Sequence, residues 1–167
     1  MTRRQKTGAE MTGFANSALS SLAGIALASA AFAGPLPPTA KPMSADAIAK
    51  IYSGHTAVFN ISDIYFAPDG TTKGLFGKPK IKGTFAGKWS VNGNEICTSS
   101  GGTDKSDPKI YTDCWKWFGD GKKTYALWST HYDGSAVDEA NGYNDKEIKN
   151  YRPGDRVSKR YAAMGGT

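Results

Sequence analysis

The sequence has 167 residues, 39% hydrophobic and 22% charged, which is enough for one domain with a core that needs no metal to fold. Lysine and arginine number 21 against 15 acidic residues, a formal net charge of +6. This mild excess indicates solubility, either with weak attraction to anionic cell-surface polymers or with no partner at all, and it does not indicate a nucleic acid partner.

Residues 1–33 are predicted to be a signal peptide. A basic start containing Arg3 and Arg4 precedes the almost uncharged run Ser17–Ala31, and Ala31-Phe32-Ala33 fits the A-x-A cleavage pattern. A membrane anchor is the alternative, but the run is short and rich in alanine and serine. We therefore expect the mature chain to begin at Gly34, in the periplasm or outside the cell, without a stable membrane anchor. Export through the general or the twin-arginine route stays open.

The mature chain is expected to begin with a leader and a helix. Residues 34–43 hold four prolines and predict an extended, poorly ordered leader. Ser44 can cap a helix, and apolar residues follow at helical spacing. We predict one short helix over residues 45–52, which covers a sheet face or an open end, at the start of a single domain over residues 44–167.

The next segments have the composition of strands. Ala57–Phe66 is rich in β-branched and aromatic residues, but its alternation changes phase near Ser62, which a bulge would explain. The turn Pro68-Asp69-Gly70 leads into a predicted strand over Thr71–Phe76.

The clearest strand pattern is Ile81–Val91, where every odd position is apolar or glycine. Gly83 and Gly87 share the inward face, and inward glycines allow a sharp bend or the close approach of another element. This favours a strongly coiled sheet or small barrel over a flat sandwich. Asn92-Gly93-Asn94 can reverse the chain into Glu95–Thr98.

The remaining segments extend an antiparallel meander of about six to eight strands. We predict loops over Ser99–Pro108 and Asp133–Asp145. The predicted strands are Lys109–Phe118, Lys122–Ser129, Glu147–Tyr151 and Arg156–Tyr161. The fold class is therefore mainly β, closing into a small barrel or strongly coiled sheet.

Cys97 and Cys114 are the only two cysteines. Two cysteines in an exported chain predict one disulfide bond. The alternatives are two free buried thiols or a redox pair, although the spacing is not C-x-x-C.

One strand face suggests a binding site. Tyr111, Trp115 and Trp117 share a face of the predicted strand Lys109–Phe118, with Lys116 between the two tryptophans. These four residues are the predicted ligand-binding residues, forming a platform for a sugar, a hydrophobic ligand or a protein partner. The alternative is that the aromatic face is the packed interior of the sheet, with Trp117 buried and Trp115 partly exposed.

Catalytic and metal-binding patterns are weak. Ser129, His131 and Asp133 would share a strand face, but successive residues on one face lie about 6.6 Å apart along the backbone, and no nucleophile elbow surrounds the serine. His55 and His131 are the only histidines and belong to no ligand array. We predict no catalytic residue, no metal and no cofactor.

Short motifs in order along the chain carry a family resemblance. They are ADAIAKIYSG at 45–54, YFAPDG at 65–70, GKWSV at 87–91, Ile96-Cys97, Cys114-Trp115 and YRPGD at 151–155. This order resembles a family of short exported proteins of Gram-negative bacteria, catalogued as a domain of unknown function. The resemblance implies a periplasmic β-rich domain and brings no catalytic residue. A weaker similarity, Gly87-Lys88-Trp89, resembles the G-x-W motif with which lipocalin-type barrels close one end.

These features together favour an exported binding protein that is not an enzyme, with an unidentified small ligand, glycan or protein as partner. An inhibitor of a secreted or host hydrolase is one alternative. An enzyme of unknown reaction is the other.

Overall fold

The structure is a computed structural model that describes residues 33–102 and 109–166. The predicted signal peptide, apart from Ala33, and most of the predicted loop Ser99–Pro108 lie outside these residues. The strands are β1 (Lys41–Pro42), β2 (His55–Val58), β3 (Ser62–Phe66), β4 (Thr71–Phe76), β5 (Gly83–Asn92), β6 (Glu95–Gly102), β7 (Ile110–Gly119), β8 (Thr124–Thr130), β9 (Tyr143–Asn144) and β10 (Tyr151–Pro153). The helices are α1 (Ala45–Tyr52), a 3-10 helix (Glu147–Asn150) and α2 (Ser158–Ala163).

All described strands form one antiparallel sheet, in the order β10-β2-β3-β4-β5-β6-β7-β8-β9, with β1 paired to β7. The sheet curls strongly into a half-barrel, so the predicted fold class is confirmed. Strands β9 and β10 are the two edges of the sheet, and the 3-10 helix lies between them in the chain. From β2 to β8 each strand pairs with the next one along the chain, which is the pattern of an antiparallel meander.

Helix α1 lies against the concave face of the half-barrel, as its predicted covering role requires. Ser44 caps its N-terminus, with the Oγ atom accepting from Ala47 N. Ile48 and Tyr52 are fully buried, and Tyr52 contacts Phe66 and Tyr151 edge-on at centroid distances of 4.9 and 4.7 Å. The helix therefore supplies the centre of the main hydrophobic core.

An inward glycine of β5, Gly87, allows a close approach between β5 and β6. A Cβ atom on Gly87 would collide with the carbonyl oxygen of Ser99 on the paired strand β6. Only glycine permits this backbone approach. Trp89, the next inward residue, packs beside Tyr52, and its Nε1 atom donates to the Ala67 carbonyl at 2.9 Å.

The predicted disulfide is present between Cys97 and Cys114. The two residues are direct partners across β6 and β7, with a Cα–Cα distance of 4.1 Å. The bond therefore joins two interior strands that already pair with each other.

The predicted leader is not free. Met43 N donates to the Trp117 carbonyl, and Gly34 exchanges two backbone hydrogen bonds with Tyr143. Strand β1 pairs with the end of β7, at Phe118 and Gly119, because the partner β6 begins opposite Lys116 and leaves that edge vacant. The prediction of a poorly ordered leader is therefore wrong for these residues.

The phase change at Ser62 is a chain reversal and not a bulge. Strands β2 and β3 form a hairpin closed by Phe59 N donating to Ser62 O at 2.8 Å. The single strand predicted over Ala57–Phe66 was wrong, because a tight turn between two strands shifts the alternation as a bulge does.

The two C-terminal strand predictions were also wrong. Glu147–Asn150 is a 3-10 helix, and the predicted strand Arg156–Tyr161 is largely helix α2. The Asp155 carboxylate accepts from the amides of Val157 and Ser158, both at 2.9 Å, which favours a helix start. Val157 and Tyr161, four residues apart, pack with Leu75 against the convex face of the sheet in a second core.

Candidate functional site

Five aromatic side chains cluster where β7 begins and β8 ends. We call them the aromatic shelf: Tyr111, Trp115, Trp128, His131 and Tyr132. The indoles of Trp115 and Trp128 are nearly parallel, at an angle of 9° with centroids 6.0 Å apart. The imidazole of His131 stacks on Trp128 at 4.1 Å and 12°. Tyr132 joins Trp128 to Tyr111, with centroid distances of 6.3 and 6.1 Å.

A bulge in β8 brings the two tryptophans together. Cys114 pairs with Thr130 while the next residue, Trp115, pairs with Trp128, so Ser129 has no partner in this register. The extra residue turns Trp128 to the same face as Trp115. His131 is then fixed by its Nε2–H, which donates to the Trp128 carbonyl at 3.1 Å.

Asp113 lies on the same strand face as Trp115 and holds the shelf together. Its Oδ1 atom accepts from Trp128 Nε1 at 2.9 Å and from Tyr132 N at 3.1 Å. Within residues 33–102 and 109–166, Oδ2 makes no hydrogen bond. One carboxylate oxygen is thus structural, and the other is a candidate acceptor for a ligand.

Burial raises the pKa of Asp113 above its ordinary value. The hydrogen bonds from Tyr132 and Trp128 and the charge of His131 act in the opposite direction, while Asp133 adds to the increase. Desolvation therefore outweighs the partners at this carboxyl group. A hydrogen-bonding ligand that supplied donors to Oδ2 would offset part of that desolvation.

The shelf is shallow. Tyr132 has 45% of its surface exposed, and Trp115, Trp128 and His131 are partly exposed. One cavity of about 390 Å³ lies between the β3–β4 turn and the strands β5 to β7, and one of about 630 Å³ lies beside the β7–β8 turn. Neither is lined by a shelf residue. Because its rings are partly exposed, the shelf suits an extended ligand better than an enclosed one.

The structure separates the four predicted ligand-binding residues. Tyr111 and Trp115 belong to the shelf. Trp117 has no exposed surface and donates from Nε1 to the hydroxyl of Tyr52 at 3.0 Å, so it is a core residue that a surface ligand cannot contact. Lys116 lies between the two tryptophans, and strand alternation places it on the opposite face, away from the shelf.

Sequence reasoning missed the shelf role of Asp113, Trp128, His131 and Tyr132. A face-sharing argument along β7 alone finds Asp113, because it alternates with Tyr111 and Trp115. The place of Trp128 in the shelf depends on the pairing of β7 with β8 and on a bulge that the sequence of β8 does not predict. His131 and Tyr132 follow the end of β8, where periodicity no longer applies.

Ser129, His131 and Asp133 do not form a catalytic arrangement. Ser129 Oγ donates to Glu95 Oε1 at 2.6 Å, His131 bonds to the Trp128 carbonyl, and Asp133 Oδ1 accepts from Ser135. Each side chain is therefore directed to a different partner. In the described part of the chain, no three His, Cys, Asp or Glu side chains are grouped as metal ligands.

Within the described ranges, no helix is long and apolar enough to cross a membrane. A family model described as "Protein of unknown function (DUF995)" matches residues 19–157. No match to the chain was found among curated proteins or among solved structures.

Proposed function

The chain belongs to the DUF995 family of proteins of unknown function, and from that premise we propose that it is an exported binding protein, not an enzyme, that holds a saccharide on the aromatic shelf. The observation that carries the proposal is the stack of Trp115, Trp128 and His131 beside a half-buried carboxylate. Aromatic rings next to a fixed polar group are the usual lining of sites for small polar molecules.

The shelf offers the two kinds of group that a sugar needs, apolar ring surface and a hydrogen-bond acceptor. The exposed ring of Tyr132 offers apolar surface to the C–H face of a pyranose. Asp113 Oδ2 can accept from a sugar hydroxyl, while its Oδ1 is held by Trp128 and Tyr132. Because the shelf is shallow, the ligand is a glycan chain that lies across it.

Export is supported by two features. The first 33 residues have the pattern of a signal peptide, and Cys97 and Cys114 are joined in a disulfide. Such bonds persist in oxidising compartments, which for an exported bacterial protein means the periplasm or the exterior. The described part of the chain holds no membrane-crossing helix.

Titration with soluble glycans tests the proposal. The full chain is expressed with its own N-terminus, and the protein recovered from the periplasm is titrated with β-1,4-linked N-acetylglucosamine tetramers, cellotetraose and solubilised peptidoglycan strands. Binding is followed by calorimetry and by tryptophan fluorescence. We expect at least one glycan to bind and to change the emission, because Trp115 and Trp128 are partly exposed.

Matched variants locate the binding. Asp113→Asn keeps an oxygen for Trp128 and Tyr132 but removes the charge, and Tyr132→Ala removes an exposed ring. Both are expected to weaken glycan binding by about tenfold or more. Phe76→Ala is the control, because Phe76 is 43% exposed, close to the 45% of Tyr132, and lies outside the shelf. Failure of all three glycans to bind, or equal loss in the control, would overturn the proposal.

A further inference from the structure

A second concave site lies beside the β7–β8 turn, away from the shelf. We call it the lysine cavity; it has a volume of about 630 Å³. Its walls come from the end of β7, the β7–β8 turn and the 3-10 helix. Trp115 of the shelf and Gly119 of the cavity are separated along β7 by roughly 13 Å at 3.3 Å per residue. The two sites therefore share no lining residue.

The charge of the lysine cavity is strongly one-sided. Four lysines line it, Lys122, Lys123, Lys146 and Lys149, against one acidic residue, Asp145. Asp145 is paired with Lys123 at 2.7 Å, which holds its pKa below the ordinary value and leaves it fully ionised. In the part of the chain that the structure describes, the Nζ atoms of the other three lysines form neither a hydrogen bond nor an ion pair.

The carboxylate of Asp120, in the β7–β8 turn, is already engaged. Asp120 Oδ1 accepts from the backbone amides of Lys122 and Lys123, and its Oδ2 accepts from the hydroxyl of Tyr125. These bonds tie Asp120 to the turn. Asp145 offsets only one of the four lysine charges, so the remaining positive charges around the concavity repel each other. The cavity therefore favours an anion with more than one charge.

The lining is not only charged. Ile148 is 39% exposed and Met43 is partly buried, and both contribute apolar surface to the cavity. A ligand that carries an apolar group next to its anionic group gains from both kinds of wall. The volume lies within the range of sites for small molecules.

We propose that the lysine cavity binds a phosphate monoester that carries an apolar group. A phosphate monoester bears nearly two negative charges at neutral pH, whereas a carboxylate bears one, so phosphate is the better match to three unpaired lysines. Lysine binds phosphate as a compact charge without requiring one fixed orientation. The apolar group lies against Met43 and Ile148. The shared chemistry fits a soluble phosphorylated molecule and the phosphate headgroup of a lipid.

Two probes test the chemistry and separate the sources. Calorimetry compares hexyl phosphate with inorganic phosphate, and we expect hexyl phosphate to bind more tightly because of its apolar chain. Co-sedimentation compares vesicles of phosphatidylcholine with and without phosphatidic acid. Binding to the phosphatidic acid vesicles as well assigns the site to a lipid headgroup, and binding to hexyl phosphate alone assigns it to a free ligand. Equal affinity for the two soluble phosphates, or no binding, overturns the proposal.

A charge-matched control separates the site from the general charge of the protein. The double variant Lys146→Gln with Lys149→Gln is expected to weaken hexyl phosphate binding by about tenfold or more. Lys80→Gln with Lys82→Gln removes the same charge from exposed positions outside the cavity, and binding is expected to stay within about twofold. If both double variants weaken hexyl phosphate binding equally, binding depends only on net charge, and the proposed site is wrong.

Discussion

The Nε1–H of Trp117 donates to the hydroxyl oxygen of Tyr52 at 3.0 Å, across 65 residues of sequence and without access to solvent. The same oxygen accepts from the Tyr151 hydroxyl at 3.0 Å. Helix α1, the interior strand β7 and the edge strand β10 therefore meet at one atom. Burial raises the pKa of both tyrosines, so both hydroxyls stay protonated at any ordinary pH.

Tyr52→Phe removes that shared acceptor while keeping the ring. The indole of Trp117 and the hydroxyl of Tyr151 then lose a buried partner, which costs about 1–3 kcal/mol of unfolding free energy for a group left unsatisfied. Urea denaturation followed by circular dichroism measures the change. Tyr132→Phe, at an exposed ring, is the control and is expected to be nearly neutral. A Tyr52→Phe protein as stable as wild type would contradict the role of the hydroxyl.

Asp113→Asn is expected to remove one pH dependence of stability. Because the folded state raises the pKa of Asp113, the native protein holds this proton over a pH range where the unfolded chain has lost it. Asp113 therefore lowers the stability of the wild-type protein as pH rises. The loss occurs between the ordinary carboxyl pKa and the raised pKa of the folded state.

The variant has no such fall, so its stability relative to wild type should increase with pH through that window and then level off. Denaturation of both proteins across acidic and neutral pH measures this difference. The pKa of Asp120 and Asp133 is lowered, the first by backbone amides and the second by Ser135, and both act in the opposite direction. They are common to both proteins, so they should largely cancel. A difference that stays flat or decreases with pH would contradict the prediction.

Gly87→Ala is expected to destabilise the half-barrel by about 1–3 kcal/mol, because the added methyl group meets the backbone of β6 at Ser99 and Ser100. Gly119→Ala is the matched control within β7, where a Cβ atom would make only ordinary contacts. Thermal and urea unfolding of the two variants provide the comparison. If the Gly87→Ala and Gly119→Ala variants were equally stable, β5 and β6 could move apart at position 87 without loss of stability, which would contradict the prediction.

Replacing both Cys97 and Cys114 by serine should lower the free energy of unfolding by about 2–4 kcal/mol. The unfolded chain then gains the conformational freedom that the crosslink removes. The strand pairing around the bond remains, so the variant should still fold. Circular dichroism should show the same β content with a lower urea midpoint. In wild type, thiol reagents should label neither cysteine before reduction. Rapid labelling of oxidised, folded protein would show that the bond is absent.

The fold was predictable where local pattern and tertiary role agree. Ile81–Val91 alternates strictly, and β5 follows it with the glycine face inward. Helix α1 begins one residue after its Ser44 cap and ends at Tyr52, as its apolar spacing indicates. Both segments bury one face only, so periodicity carries the needed information.

The errors arise where a contact distant in sequence decides the structure. Lys41–Pro42 becomes a strand because the end of β7 lacks another partner on that side. Tyr161 and Val157 form a helical pair because the convex face around Leu75 is open to them. The shelf has the same origin, since Trp115 was identifiable from its strand, whereas Trp128 reaches it through the bulge at Ser129.

The pairing of β10 with β2 also sets a sequence of events for a chain that emerges from its N-terminus. Tyr151 pairs with Ala57, 94 residues earlier, so β2 has only β3 beside it until residues 151–153 emerge. Until then the backbone edge of β2 stays unpaired, and such edges invite association with other chains. Slow synthesis of the chain therefore prolongs the period in which the β2 edge is open to association with other chains.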